Sequence, residues 1–213
     1  DTARVLHALL EAHRAGVALP PERQVELLIA LDRLRTPHGW AAADTAAPDA
    51  ESTAWAALAY ASMAEITQAD TARVRVEVAR DALLALQQPD GSFDVGGDPV
   101  ASPLRSTALA VTGLLAAESS QRSASPEAVT ARRRAVRVLR EALQRADHPV
   151  WSAPPALDLA VAALWSARAQ AHDAELSDAT IAGRYVDHLG ERCPDQRCAA
   201  LPPIADAPWI PGS

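Results

Sequence analysis

The sequence predicts an all-α protein built from tandem helical hairpins, and three observations predict it. Four segments start alike: Asp1-Thr2-Ala3, Ser52-Thr53-Ala54, Ser106-Thr107-Ala108 and Asp158-Leu159-Ala160, at spacings of 51, 54 and 52 residues. An alanine-rich, almost wholly apolar stretch follows each start, and a half-polar stretch of helical period follows that. A period of this length marks a repeat architecture, in which each unit buries its apolar face against the next.

Each start is read as a helix cap, since Ser and Asp side chains accept hydrogen bonds from the orphan N–H groups of a first turn. The first helix of a repeat, as in Thr53 to Met63 and Thr107 to Ala117, is apolar on all sides and so must be buried on all sides. The second has one dry face. Arg73 to Gln87 sets Val74, Val78, Ala82 and Ala85 on one stripe, with Arg73, Arg75, Glu77, Arg80 and Asp81 elsewhere. Glu127 to Gln144 does the same with Ala128, Ala131, Ala135, Val138 and Ala142. Buried helices alternating with half-exposed ones imply an inner and an outer layer.

The links between helices carry a second repeat. Pro37-His38-Gly39-Trp40 and Pro89-Asp90-Gly91-Ser92-Phe93 each place an aromatic after a glycine turn, 12 or 13 residues before the next cap. Asp147-His148-Pro149-Val150-Trp151 keeps the aromatic and drops the glycine, and the fourth link runs through Cys193, Cys198 and Trp209. The aromatics are expected to wedge between neighbouring hairpins and lock the stack. Residues 1–213 are thus read as a single repeat domain, with repeats 1–51, 52–105, 106–157 and 158–212. Neither end carries the polar cap that a repeat stack normally needs, so the chain is expected to be a fragment of a longer one, prone to self-association through its uncapped ends.

Composition bounds the function. With 49% apolar and 22% charged residues the chain is ordinary globular protein, and its 213 residues bury a sizeable core. No apolar run is long enough to span a membrane. All 20 basic residues are arginine, the mark of a GC-rich and expectedly bacterial gene, which excludes Schiff-base and phosphate-loop lysines. A net charge of -7 argues against nucleic-acid binding. Two cysteines and no signal peptide fit a cytoplasmic protein.

The segment Leu83-Leu84-Ala85-Leu86-Gln87-Gln88-Pro89-Asp90-Gly91-Ser92-Phe93 resembles the QW motif of the squalene–hopene cyclase and terpenoid cyclase family, with Phe93 where tryptophan is usual. The Ser-Thr-Ala helix start is similar to that family and to the protein prenyltransferase β subunits. The resemblance implies an α/α toroid: four hairpins, about eight helices, forming a partial ring of an (α/α)6 barrel. It also implies an apolar, aromatic-lined cavity for an isoprenoid or other apolar small molecule. The aromatics available for such a lining are Trp40, Trp55, Tyr60, Phe93, Trp151 and Trp165.

Class II cyclases of that family protonate an alkene with an Asp-x-Asp-Asp motif, and no two aspartates are adjacent in this sequence. The candidates for a degenerate acid are Asp49 and Glu51 in Asp49-Ala50-Glu51-Ser52-Thr53-Ala54, and Asp1, which could end a motif lying upstream. A carboxylate at a helix N-terminus is favoured in its charged form, whereas an alkene-protonating acid must stay neutral. No metal site is expected. Asp187, His188, Cys193 and Cys198 lie close together but lack a recognised zinc spacing. Arg132, Arg133, Arg134, Arg137 and Arg140 are read as a solvated outer face. His7 and His13 flank an inner helix with no Ser or Cys in nucleophile-like surroundings. Aromatic residues are only 4% of the chain, few for stabilising carbocations. The expected function is therefore a non-catalytic repeat module, without cofactor, that binds an apolar ligand or a protein partner. The alternative is a class II-like terpene cyclase.

Overall fold

The computed structural model describes residues 2–44, 46–93, 103–120 and 125–144. Among them are six α-helices: α1 (Thr2–Arg14), α2 (Pro21–Arg33), α3 (Ala50–Thr67), α4 (Asp70–Leu86), α5 (Pro103–Ser120) and α6 (Pro126–Gln144). A two-residue antiparallel pair, β1 (Arg35–Thr36) and β2 (Gly39–Trp40), forms a small turn between α2 and α3. The chain is all-α in its described part, and no described helix is long and apolar enough to cross a membrane.

The helices pair as α1–α2, α3–α4 and α5–α6, and the odd-numbered helices lie side by side, α3 between α1 and α5. Burial follows. Along α3, Ala54, Ala56, Ala57, Ala59 and Ala61 are at most 5% exposed, while α2 buries only Leu31. Alanine suits the odd helices because a small side chain allows close axial approach and costs no rotamer entropy. The approach is closest at Gly113 of α5. A methyl group there would stand 3.0 Å from the Cα of Ala54 and 3.2 Å from Cδ1 of Leu83, closer than side-chain carbons ordinarily pack.

Local signals explain the ends of α3. Asp49 caps its start, accepting from the Ser52 N–H at 2.7 Å, and Gln68 closes it in the left-handed region, its N–H reaching the Ala64 carbonyl.

The links between hairpins repeat in atomic detail. Trp40 and Phe93 are fully buried. The Trp40 N–H donates to Thr53 Oγ1 at 3.0 Å, and the Phe93 N–H donates to Thr107 Oγ1 at 3.0 Å. The threonine of each Ser-Thr-Ala start therefore holds the aromatic of the link before it. Gly39, at φ 132°, makes room: a Cβ there would lie 2.7 Å from Thr53 Oγ1. Gln87, the first glutamine of the QW-like segment, donates to the Gly91 carbonyl at 3.1 Å and the Ala131 carbonyl at 2.8 Å, joining the link to α6. Thr53→Val is expected to leave the Trp40 N–H buried and unpaired, at a cost of about 1–3 kcal/mol. Thr53→Ser, which keeps the hydroxyl, should retain most of that, as read from urea unfolding of both variants.

The dry face of α4 departs from the expected stripe. Val74 is 52% exposed and Ala85 is exposed, while Ala72, Val76, Ala79, Ala82 and Leu83 are buried. On α6, Ala128, Ala131 and Ala135 are buried as expected, Val138 is half-buried, and Val136 and Leu139 complete the face; the side chain of Ala142 lies outside those described. The Arg132 side chain, expected in solvent, is 3% exposed and pairs with Glu118 of α5 at 3.0 Å. In an alanine-rich helix more than one stripe is apolar enough, and the neighbouring helices decide which is covered.

Candidate functional site

Side chains of adjacent hairpins meet one another along one row of the odd helices. On α1 and α3 they meet in rows exactly one repeat apart, as parallel helices in register require. Arg4 lies over the ring of Trp55, 5.8 Å from its centroid. Glu11 accepts from the Ser62 hydroxyl at 2.7 Å, and Arg14 pairs with Glu65 at 3.0 Å. Each of these pairs is separated by 51 residues, the first repeat spacing. Between α3 and α5 the row is Glu51 with Arg105, an ion pair 54 residues apart, the second spacing.

Trp55 is the centre of this face. It is half-buried, packs on the core on both sides, and carries Arg4 above it and the His7 ring at 5.8 Å and 45° beside it. Its indole N–H and the Nε of Arg105 are buried without a hydrogen-bond partner among the described residues. Such groups are costly unless an acceptor reaches them.

His7 and Ser62 form the one cluster here that the sequence reading missed. His7 is 4% exposed and its Nδ1 lies 3.3 Å from Ser62 Oγ. Ser62 is therefore a serine beside His7, in surroundings that differ from those of a nucleophile. The pairing crosses two hairpins, so local sequence hides it. The available signal was register, since Ser62 stands one repeat after Glu11. The Ser62 hydroxyl donates its proton to Glu11, not to the imidazole. That is the reverse of a base-activated nucleophile, which gives its proton to histidine. The chain Glu11–Ser62–His7 therefore positions two helices rather than activating an oxygen.

Burial holds the His7 imidazole below the usual histidine range; nearby Glu11 opposes this and Arg14 adds to it. The folded state thus resists a proton that the unfolded chain accepts. Stability is complete above the ordinary value of 6.5 and is lost as pH falls from there through the lower folded value. We expect the urea midpoint to fall between pH 7.5 and pH 5.5, and His7→Gln to flatten that dependence.

The other expected site residues are placed as follows. Asp49 is the cap of α3, and Glu51 is the partner of Arg105. Trp40 and Phe93 are core side chains, and Tyr60, 3% exposed, donates its hydroxyl to Asp32 at 2.9 Å, where Arg75 of α4 also binds. Burial and the Asp32 hydrogen bond push the Tyr60 phenol well above the usual range. Trp55 alone of the described aromatics reaches the open face. Asp1, Trp151 and Trp165 lie outside the described residues, as do Asp187, His188, Cys193, Cys198 and the fourth repeat. Among the described residues no group of three or more His, Cys, Asp or Glu side chains could hold a metal ion. No protein-family model matches the chain, and no curated protein matches it either.

Proposed function

We propose that the chain is a non-catalytic module of α/α-toroid-type hairpin repeats, a partial ring that binds a polypeptide partner along the open face of α1, α3 and α5. The observation that carries this is the surroundings of Trp55. A half-buried aromatic platform carries Arg4 over its ring, and the same row of side chains bears Glu51 paired with Arg105 at one end and Glu65 paired with Arg14 at the other. A polypeptide supplies polar groups for the charges of this row and side chains to stack on an indole, and aromatic and arginine anchors are what protein interfaces favour. A hydrocarbon ligand would strip water from the charges of that row without replacing it. The alternative, a class II-like terpene cyclase, requires a free neutral acid. Asp49 and Glu51 instead serve as a helix cap and an ion-pair partner.

The test has two arms. A photo-crosslinking residue at position 55 should capture a defined polypeptide, and the same residue at the outward-facing position 74 should not. Incubation with squalene or geranylgeranyl diphosphate should yield no cyclised product. A product whose formation is abolished by Asp49→Asn would overturn the proposal in favour of the cyclase.

A further inference from the structure

Three arginines reach across a hairpin junction in the row around Trp55, and each rests on an electron-rich acceptor. Arg4 lies over the Trp55 ring at 5.8 Å, Arg14 pairs with Glu65 at 3.0 Å, and Arg105 pairs with Glu51. Glu11 also carries Arg14, at 3.2 Å. The seat on Trp55 differs from the others in two ways. Its acceptor is the face of an aromatic ring, negative by its quadrupole, which attracts a cation and repels a carboxylate. Its occupant, Arg4, is an exposed side chain, whereas Arg105 is half-buried and Arg14 is held by two carboxylates. An exposed cation–ring contact shifts an equilibrium only a few-fold, so an incoming cation displaces Arg4 at little cost. The chain carries a net charge of -7, which draws a basic partner in and holds an acidic one off.

We propose that the polypeptide bound by this face is basic, and that one of its arginines takes the place of Arg4 on the Trp55 ring. This rests on the reading of the chain as a polypeptide-binding module and names the chemistry of the partner. In the free protein Arg4 is an internal stand-in for the partner's side chain. Arginine suits the seat better than lysine, because its planar guanidinium stacks on an indole and is more weakly hydrated than an ammonium.

Fluorescence anisotropy with labelled synthetic peptides of equal length tests it, alternating glycine with arginine, lysine or glutamate. The arginine peptide should bind, the lysine peptide should bind more weakly, and the glutamate peptide should not bind. Trp55→Ala should weaken the arginine peptide about tenfold. Arg4→Gln, at an exposed position, keeps the packing intact and should strengthen binding a few-fold by vacating the ring. Arg23→Gln removes the same charge from α2 and should leave the affinity nearly unchanged, which separates the vacated ring from the general field. No binding of the arginine peptide, a lysine or glutamate peptide that binds as tightly, or equal effects of Arg4→Gln and Arg23→Gln would overturn the proposal. So would an affinity indifferent to Trp55→Ala. If the crosslinking residue at position 55 captures an acidic polypeptide, the arginine assignment fails and the binding module stands; if it captures nothing, both fail.

Discussion

Glu118→Ala is expected to destabilise the fold by about 3–5 kcal/mol, because it strands the buried Arg132 guanidinium without its counter-charge. Arg132 is 3% exposed, and its Nη1 has no hydrogen-bond partner among the described residues even with Glu118 present. The repeat indicates how to recover the loss. One repeat earlier than Glu118 stands Ala64. On α4, Val76 follows the buried Ala72 by four residues, just as Arg132 follows the buried Ala128 on α6. Ala64 and Val76 share one core cluster. The double variant Glu118→Ala, Arg132→Val rebuilds that apolar pair and should come back close to the unaltered stability, as buried ion pairs replaced by well-packed apolar groups often do. A double-mutant cycle by urea unfolding measures the coupling. A double variant less stable than Glu118→Ala alone would show that the pair contributes more than mutual neutralisation.

Trp40→Ala is the second large effect, at about 3–5 kcal/mol for a fully buried indole removed from a junction of α2, α3 and α4. The ring lies 5.8 Å from that of Tyr60, which is itself tied to Asp32, the partner of Arg75, so the cavity opens where three elements are pinned together. Trp40→Phe should cost no more than about 1.5 kcal/mol. Phe93 already fills the equivalent place in the next link, and the change also removes an indole N–H that is buried and unpaired among the described residues. Thermal unfolding of the two variants distinguishes them; equal losses would mean that the junction reads the indole itself and not its bulk.

The link residues were the most legible part of the described hairpins, for a physical reason. Thr53 and Thr107 each hold the aromatic of the preceding link through the same hydrogen bond, so one geometry imposes one sequence pattern twice. The cap at Asp49 was equally readable, because capping is local and depends on a single side chain reaching the first turn. The candidate site was less so. Trp55 could be named from sequence, but its companions Arg4 and His7 come from a different hairpin. Trp40, Tyr60 and Phe93 are chemically as able to line a ligand face as Trp55. Their rotation into the core is set by which helices flank them.

The sequence by itself determined the all-α class and the two kinds of helix, because both follow from periodicity. Tertiary structure alone decided that α4 buries Val76 in place of Val74, that Arg132 turns inward to Glu118, and that Ser62 bridges His7 and Glu11. In an alanine-rich helix neighbouring stripes differ little in hydrophobicity. The choice between them belongs to the packing of one hairpin on the next, which no single segment encodes.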